Sequence, residues 1–108
     1  MRYSPKRKHE AMILISQRIQ YYNQSYQCKI NRVVIRNQRR RWGSCSALGN
    51  LQFNYRVIRL PLVLVDYIVV HELCHLRELN HSVRFWQLVG ETVPDFRQRR
   101  RTLRRIAL

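Results

Sequence analysis

"VVHELCHLRELNHSVRFW", Val69 to Trp86, carries three of the four histidines of this 108-residue chain. His71 and His75 stand four apart with Glu72 directly after the first, an H-E-x-x-H pattern. In a helix, residues i and i+4 lie one above the other on the same face. Two imidazoles so placed can occupy two neighbouring positions on one tetrahedral zinc, each at about 2.0–2.1 Å. Glu72 lies about 100° further round the helix. It is badly placed to join the same ion and well placed to exchange a proton beside it, the arrangement of a general base next to a Lewis acid.

A zinc that keeps one position for water needs a third protein ligand. His81, ten residues after His71, is the first candidate, because a chain turning back at Asn80 carries it to the open side of the pair. The spacing is that of H-E-x-x-H-x-x-G-x-x-H, with Glu78 standing where that pattern has glycine. Glu78 and Glu91 are the rival carboxylate ligands, and Glu78 is also placed to support a ligand histidine. The plainer reading is a helix that happens to carry histidines, since a five-residue pattern also arises by chance. The preceding "LVLVDYIVV" weighs against it. That segment is apolar almost all round, so the helix is buried, and burying His-Glu-x-x-His without a partner costs several kcal/mol.

The helix sits in an α+β frame. Met12, Ile15, Ile19 and Tyr22 recur at helical spacing, which predicts a helix from Pro5 to about Asn23 with Ser4 as cap. The β-branched "CKINRVVIRNQ" predicts a strand over Arg32 to Asn37. Two further strands flank a turn at Gly49-Asn50, and the second, Leu51 to Arg56, alternates apolar and polar side chains. Pro61 opens the histidine helix, which is expected to run to Leu79 and stop with Asn80 left-handed. Ser82 caps the next helix through Val89, Gly90 to Pro94 break it, and "DFRQRRRTLRRIA" forms a last basic helix with Asp95 at its start. The order predicts one domain over residues 1–108, with helices on a small, mostly antiparallel sheet.

The net charge of +15 favours polyanionic partners such as nucleic acid or nucleotides, and says nothing of fold. The longest apolar run, Leu60 to Val70, contains Asp66 and is too short to span a bilayer. Nothing near Met1 reads as a signal peptide. Cys28, Cys45 and Cys74 are odd in number and lack C-x-x-C spacing, which fits a reducing compartment, and the expected location is cytoplasmic.

"RRWGSCSALGNLQFNYRVIRLP", "LVDYIVVHELCHLRELNHSVRFWQLV" and "PDFRQRRRTLR", in that order, resemble the YgjP-like metallopeptidase family, small zincins also described as predicted metal-dependent hydrolases. The match runs from about Tyr26 to Arg105. The resemblance implies a minimal zincin-like fold, a small sheet packed on the H-E-x-x-H helix. It implies one zinc per chain on His71, His75 and His81, with Glu72 as catalytic acid/base.

Three functions follow for testing. The first is a zinc-dependent peptidase whose peptide or protein substrate lies along an edge strand, for which Leu51 to Arg56 is the candidate. Arg41, Asn54 and Tyr55 are then candidate substrate contacts, with Tyr67 a further candidate for stabilising the oxyanion. Each has an ordinary structural alternative as a loop cation, a strand amide or a packed aromatic. The second is a metal-dependent nucleotide or phosphoester hydrolase of pyrophosphatase type. Against it stand the lack of a glycine-rich phosphate loop and a histidine ligand set that magnesium does not prefer. The third is a nucleic-acid-binding module, or a protease recruited to nucleic acid through Arg97 to Arg105, where the plain alternative is a solvated helix face. Cys45 can in principle approach the metal and block it, and packing is the simpler role. Phe85 and Trp86 are expected to hold the chain after His81 against the histidine helix.

Overall fold

The computed structural model describes residues 1–108. Helix α1 spans Pro5–Tyr26. Ser4 is extended and its hydroxyl accepts from the Arg7 N–H at 3.2 Å, with Pro5 in the first turn, where a missing N–H costs nothing. The helix ends at Gln27, which is left-handed at φ 52° and donates to the Asn23 carbonyl. The Asn23 side chain then exchanges two hydrogen bonds with the Cys28 backbone at 2.9 Å, which fixes the exit of the chain. Its buried stripe is Ala11, Ile15, Ile19, Tyr22 and Tyr26. Tyr26 lies beyond the expected end because its hydroxyl donates to the Leu88 carbonyl at 2.6 Å and meets Thr92 at 2.8 Å, tying the helix to a distant element.

Three strands follow: β1 Arg32–Arg36, β2 Gly43–Cys45 and β3 Asn50–Asn54. Their spatial order is β1-β3-β2. The sheet is mixed, not mostly antiparallel. β1 pairs with β3 in parallel from Arg32↔Asn50 to Arg36↔Asn54, while β2 pairs with β3 antiparallel from Gly43↔Phe53 to Cys45↔Leu51. Gly49 makes the turn before β3 at φ 85°, a region that glycine enters without strain. β3 is therefore the central strand and cannot offer an edge. It also stops at Asn54, because the Asn54 side chain accepts from the Arg56 N–H at 3.1 Å and opens a 3₁₀ turn over Tyr55–Arg59.

Helix α2 covers Leu62–His75, α3 Val83–Thr92 and α4 Phe96–Arg104. α2 contacts α1, α3, α4 and β2, and its residues from Leu64 to Val70 are all buried. Each fully buried Leu, Ile, Val or Phe here contributes about 1.5–3 kcal/mol relative to exposure. Asp66 is the polar exception inside this helix. It takes Arg18 at 2.7 and 3.0 Å and the Tyr22 hydroxyl at 2.9 Å, so its charge is paired on α1. α2 ends at His75, short of the expected Leu79, and Asn80 is not left-handed. The last turn tightens through Leu76 N–H to the Leu73 carbonyl at 3.0 Å. Ser82 caps α3 by accepting from Phe85 N–H at 3.2 Å. Gly90 lies inside α3 and does not break it, and a side chain there would meet Phe96 at 3.6 Å. Asp95 precedes α4 and pairs with Arg99 at 3.0 Å without capping a backbone N–H. No helix is long and apolar enough to cross a membrane.

Candidate active site

α2 presents His71 and His75 from adjacent turns, and the early end of that helix lets His81 fold back between α2 and α3. The three Nε2 atoms form a small triangle: 3.2 Å from His71 to His75, 3.0 Å from His75 to His81 and 3.2 Å from His71 to His81. Three nitrogens on a tetrahedral ion at about 2.05 Å stand about 3.3 Å apart, so the triangle has the size of a zinc face.

Proton bookkeeping points the same way. The His75 Nδ1 lies 3.0 Å from the Glu78 carbonyl, which can only accept, so this nitrogen carries the proton. The Nε2 of neutral His75 then offers a lone pair to the triangle. The His71 Nδ1 lies 3.3 Å from the Tyr67 hydroxyl. Burial, then the neighbouring His75, His81 and Arg100, pushes the His71 pKa down to about 3, so this ring is neutral at physiological pH. Burial likewise lowers the pKa of His75. Three Nε2 atoms within 3.0–3.2 Å of one another are spaced to share one electron-pair acceptor. The donor set therefore fits a zinc ion, and these are the residues grouped closely enough to hold one.

Aromatic packing fixes the rings. Phe85, fully buried on α3, stacks on His75 at 4.4 Å between centroids. Trp86 lies near-parallel to His81 at 5.7 Å and to Phe96 at 5.1 Å. The expectation that Phe85 and Trp86 hold this segment against α2 agrees with these contacts.

Glu72 is buried on α2 beside the triangle and opens on the same cleft, whose lining includes His71, His75, His81 and β2. No ion pair of the chain involves it. Burial raises its pKa to about 8, and the Arg41 charge acts in the opposite direction. Gly43 explains how a strand comes so close. A Cβ at this position would meet Glu72 Cγ and Oε2 and the Gln52 carbonyl, all at 3.2 Å. Only glycine lets β2 lie against the carboxylate without displacing it. β2 is paired on one edge by β3, and Gly43, Ser44 and Cys45 line the cleft.

The other candidates separate. Arg41 is exposed at the cleft rim. Asn54 is fully buried, and its amide donates to the Gln38 and Arg41 carbonyls at 2.6 and 3.0 Å. Tyr55 is buried and donates to the Met1 carbonyl at 3.1 Å. Both are bonded within the fold, and neither lines the cleft. Glu78 turns its carboxylate to Arg84 at 2.9 Å and supports His75 with its backbone. Glu91 is exposed on α3, outside the histidine group. Cys45 lines the cleft as a thiol, its pKa raised by burial to about 11, and donates to the Ser46 carbonyl at 3.4 Å. Gly43 after Arg41-Trp42 signals a close backbone approach in the sequence without naming Glu72 as the neighbour, and sequence reasoning passed over Tyr67 as a partner of His71. That pairing was visible, since Tyr67 precedes His71 by one helical repeat of four.

Comparison with known proteins finds relatives of this fold. The abylysin metallopeptidase zymogen of Pyrococcus abyssi has a similar fold, with a TM-score of 0.71 at 23% identity, over 87% of this chain and 99% of that one. The jannalysin metallopeptidase zymogen of Methanocaldococcus jannaschii gives 0.62 at 24% identity, over 71% and 79% of the two chains. No curated protein sequence matches. The profile of the YgjP-like metallopeptidase domain matches residues 5–106, nearly the whole chain, and the protein belongs to that metallopeptidase family.

Proposed function

We propose that the protein is a zinc-dependent peptidase in which His71, His75 and His81 hold one zinc through Nε2 and Glu72 moves the proton. The observation that carries this is the convergence of three Nε2 atoms at 3.0–3.2 Å beside a buried carboxylate on one open cleft. Zinc, when bound, supplies a Lewis acid that polarises a carbonyl and acidifies water. Glu72 accepts a proton from the attacking water and delivers it to the leaving amine, so the C–N bond breaks as the new C–O bond is completed. Arg41 at the rim restrains the proton affinity of Glu72 and meets the substrate. Tyr67 orients His71, and the Glu78 carbonyl orients His75. β2, lining the cleft with one edge unpaired, replaces β3 as the strand along which an extended peptide docks by backbone hydrogen bonds.

Nucleotide hydrolysis is the second reading, raised by the arginines of α4. A single three-histidine group without a second acidic cluster supplies none of the two-metal geometry common in phosphoryl transfer. The deciding experiment supplies zinc to the purified protein and assays it against unfolded casein and against a panel of nucleoside triphosphates. The peptidase reading expects peptide products only, and nucleotide turnover without proteolysis overturns it.

A further inference from the structure

The histidine cleft does not end at the histidines. Between α3 and α4 lies a groove of about 600 Å³ lined by Trp86 and Phe96, with Val83 at its mouth, and by Arg97, Arg100, Arg101 and Arg104. Arg100 and Arg104 also line the part of the cleft that holds His71, Glu72 and Gly43. The two spaces therefore share a wall, and a chain lying in the cleft that continues towards α4 enters the groove.

These four arginines lack counter-ions. The ion pairs of the molecule are Arg18–Asp66, Arg84–Glu78 and Arg99–Asp95, and none involves them. Arg100 is half-buried, with its guanidinium 5.0 Å from the Trp86 ring centroid. It also lines the catalytic end of the cleft together with His71 and Glu72. An unpaired guanidinium on an aromatic floor is a ready partner for a carboxylate, which it can grip with two parallel hydrogen bonds.

We propose that this groove is a specificity subsite for acidic side chains. Substrates carrying Asp or Glu on the α4 side of the scissile bond are selected by Arg100 and Arg104, with Arg97 and Arg101 at the outer rim. The proposal rests on the peptidase reading for its chemistry and names the substrate class of that same site. A peptide is favoured over nucleic acid for two reasons. The groove is continuous with the peptide-binding edge of β2. The one indole in it already lies near-parallel to both His81 and Phe96 and carries Arg100, so it is a poor platform for stacking a base.

The test uses one fluorescently labelled peptide series in which Glu replaces Gln at successive positions on either side of a fixed cleavage window. Binding is read by anisotropy on metal-free Glu72→Gln protein, and cleavage on zinc-loaded wild type. Glu at positions on one side is expected to tighten binding and raise kcat/KM by about tenfold over Gln, with the preference falling as salt screens the charges. Arg100→Gln with Arg104→Gln should collapse that ratio. The pair Arg101→Gln and Arg104→Gln, both exposed, should reduce it with no burden on folding. Equal binding of Glu and Gln peptides overturns the proposal, as does a preference that survives both double variants. So does a single-stranded oligonucleotide that displaces the acidic peptide at lower concentration than unlabelled peptide does. If no peptide is cut while the Glu preference in binding persists, the peptidase reading fails and the acidic subsite stands.

Discussion

Replacing Glu72 by Gln should do more than abolish turnover, because the native fold holds this carboxyl at a cost. In the metal-free protein its pKa is raised by burial from 4.5 to about 8. Between those values the folded chain keeps a proton that the unfolded chain has lost. Folding stability contributed by this group therefore falls as pH rises from about 4.5 to 8 and levels off above. At about 1.4 kcal/mol per pH unit, the difference sets an upper bound of about 5 kcal/mol. The cleft admits water to the carboxylate, which screens the charge and brings the expected cost nearer 2–3 kcal/mol. Gln cannot ionise and escapes this cost. Metal-free Glu72→Gln should match wild type within about 1 kcal/mol at pH 5 and exceed it by about 2–3 kcal/mol at pH 8, or about 10–20 °C in Tm. Urea unfolding of both proteins from pH 5 to 9 measures the difference directly. His71 titrates in both, so its opposite slope, stability rising with pH from about 3 towards 6.5, cancels in the subtraction. A difference that stays flat with pH, or a variant less stable at pH 8, refutes the claim that Glu72 is held in a desolvated site.

Other expectations follow from single contacts. Gly43→Ala places a Cβ 3.2 Å from both Glu72 and the Gln52 carbonyl, and should destabilise by about 1–3 kcal/mol. It should also lower kcat with zinc affinity kept, which chelator competition and steady-state assays separate. Tyr67→Phe removes the hydroxyl on His71 Nδ1 and should weaken zinc binding by about tenfold or more, read by competition with a chromophoric chelator. Asp66→Ala strands Arg18 and the Tyr22 hydroxyl. With Asp66 buried and Arg18 partly solvated, the expected loss is about 2–4 kcal/mol in urea unfolding, with zinc stoichiometry unchanged. Trp86→Ala removes the ring beside His81 and should weaken zinc binding, and full affinity in that variant contradicts the packing role assigned here.

The parts of the fold written in local chemistry were legible. Ser4 and Ser82 act as caps, Gly49 turns the chain at positive φ, and the apolar run before His71 forms a buried helix. The grouping of the three histidines was legible too, because four-residue spacing fixes His71 and His75 and the distance to His81 allows a return. What failed depended on partners far along the chain. Alternation shows which face of β3 is buried but not which strand lies beside it, so the parallel pairing with β1 was invisible. Tyr55 and Val57 continue the apolar rhythm of a strand and are indeed buried, yet the Asn54 side chain has already bent the backbone into a 3₁₀ turn. Alternation put Tyr55 on the buried face and Asn54 on the wet one, and the same turn draws Asn54 inside as well. The end of α2 was placed too late because Asn80 suits a left-handed stop, whereas the chain leaves the helix at His75 and the Glu78 carbonyl receives that ring. Gly43 gave no local clue to its neighbour, since Glu72 approaches it from another element.

The most direct test of the catalytic assignment is mass spectrometry of unfolded casein incubated with wild type and Glu72→Gln, both loaded with zinc and matched for metal content on the same samples. One zinc per chain in each protein, with peptide fragments only from wild type, is the expected result. Fragments produced at equal rates by Glu72→Gln, or a wild type that takes up no zinc when it is supplied, contradict it.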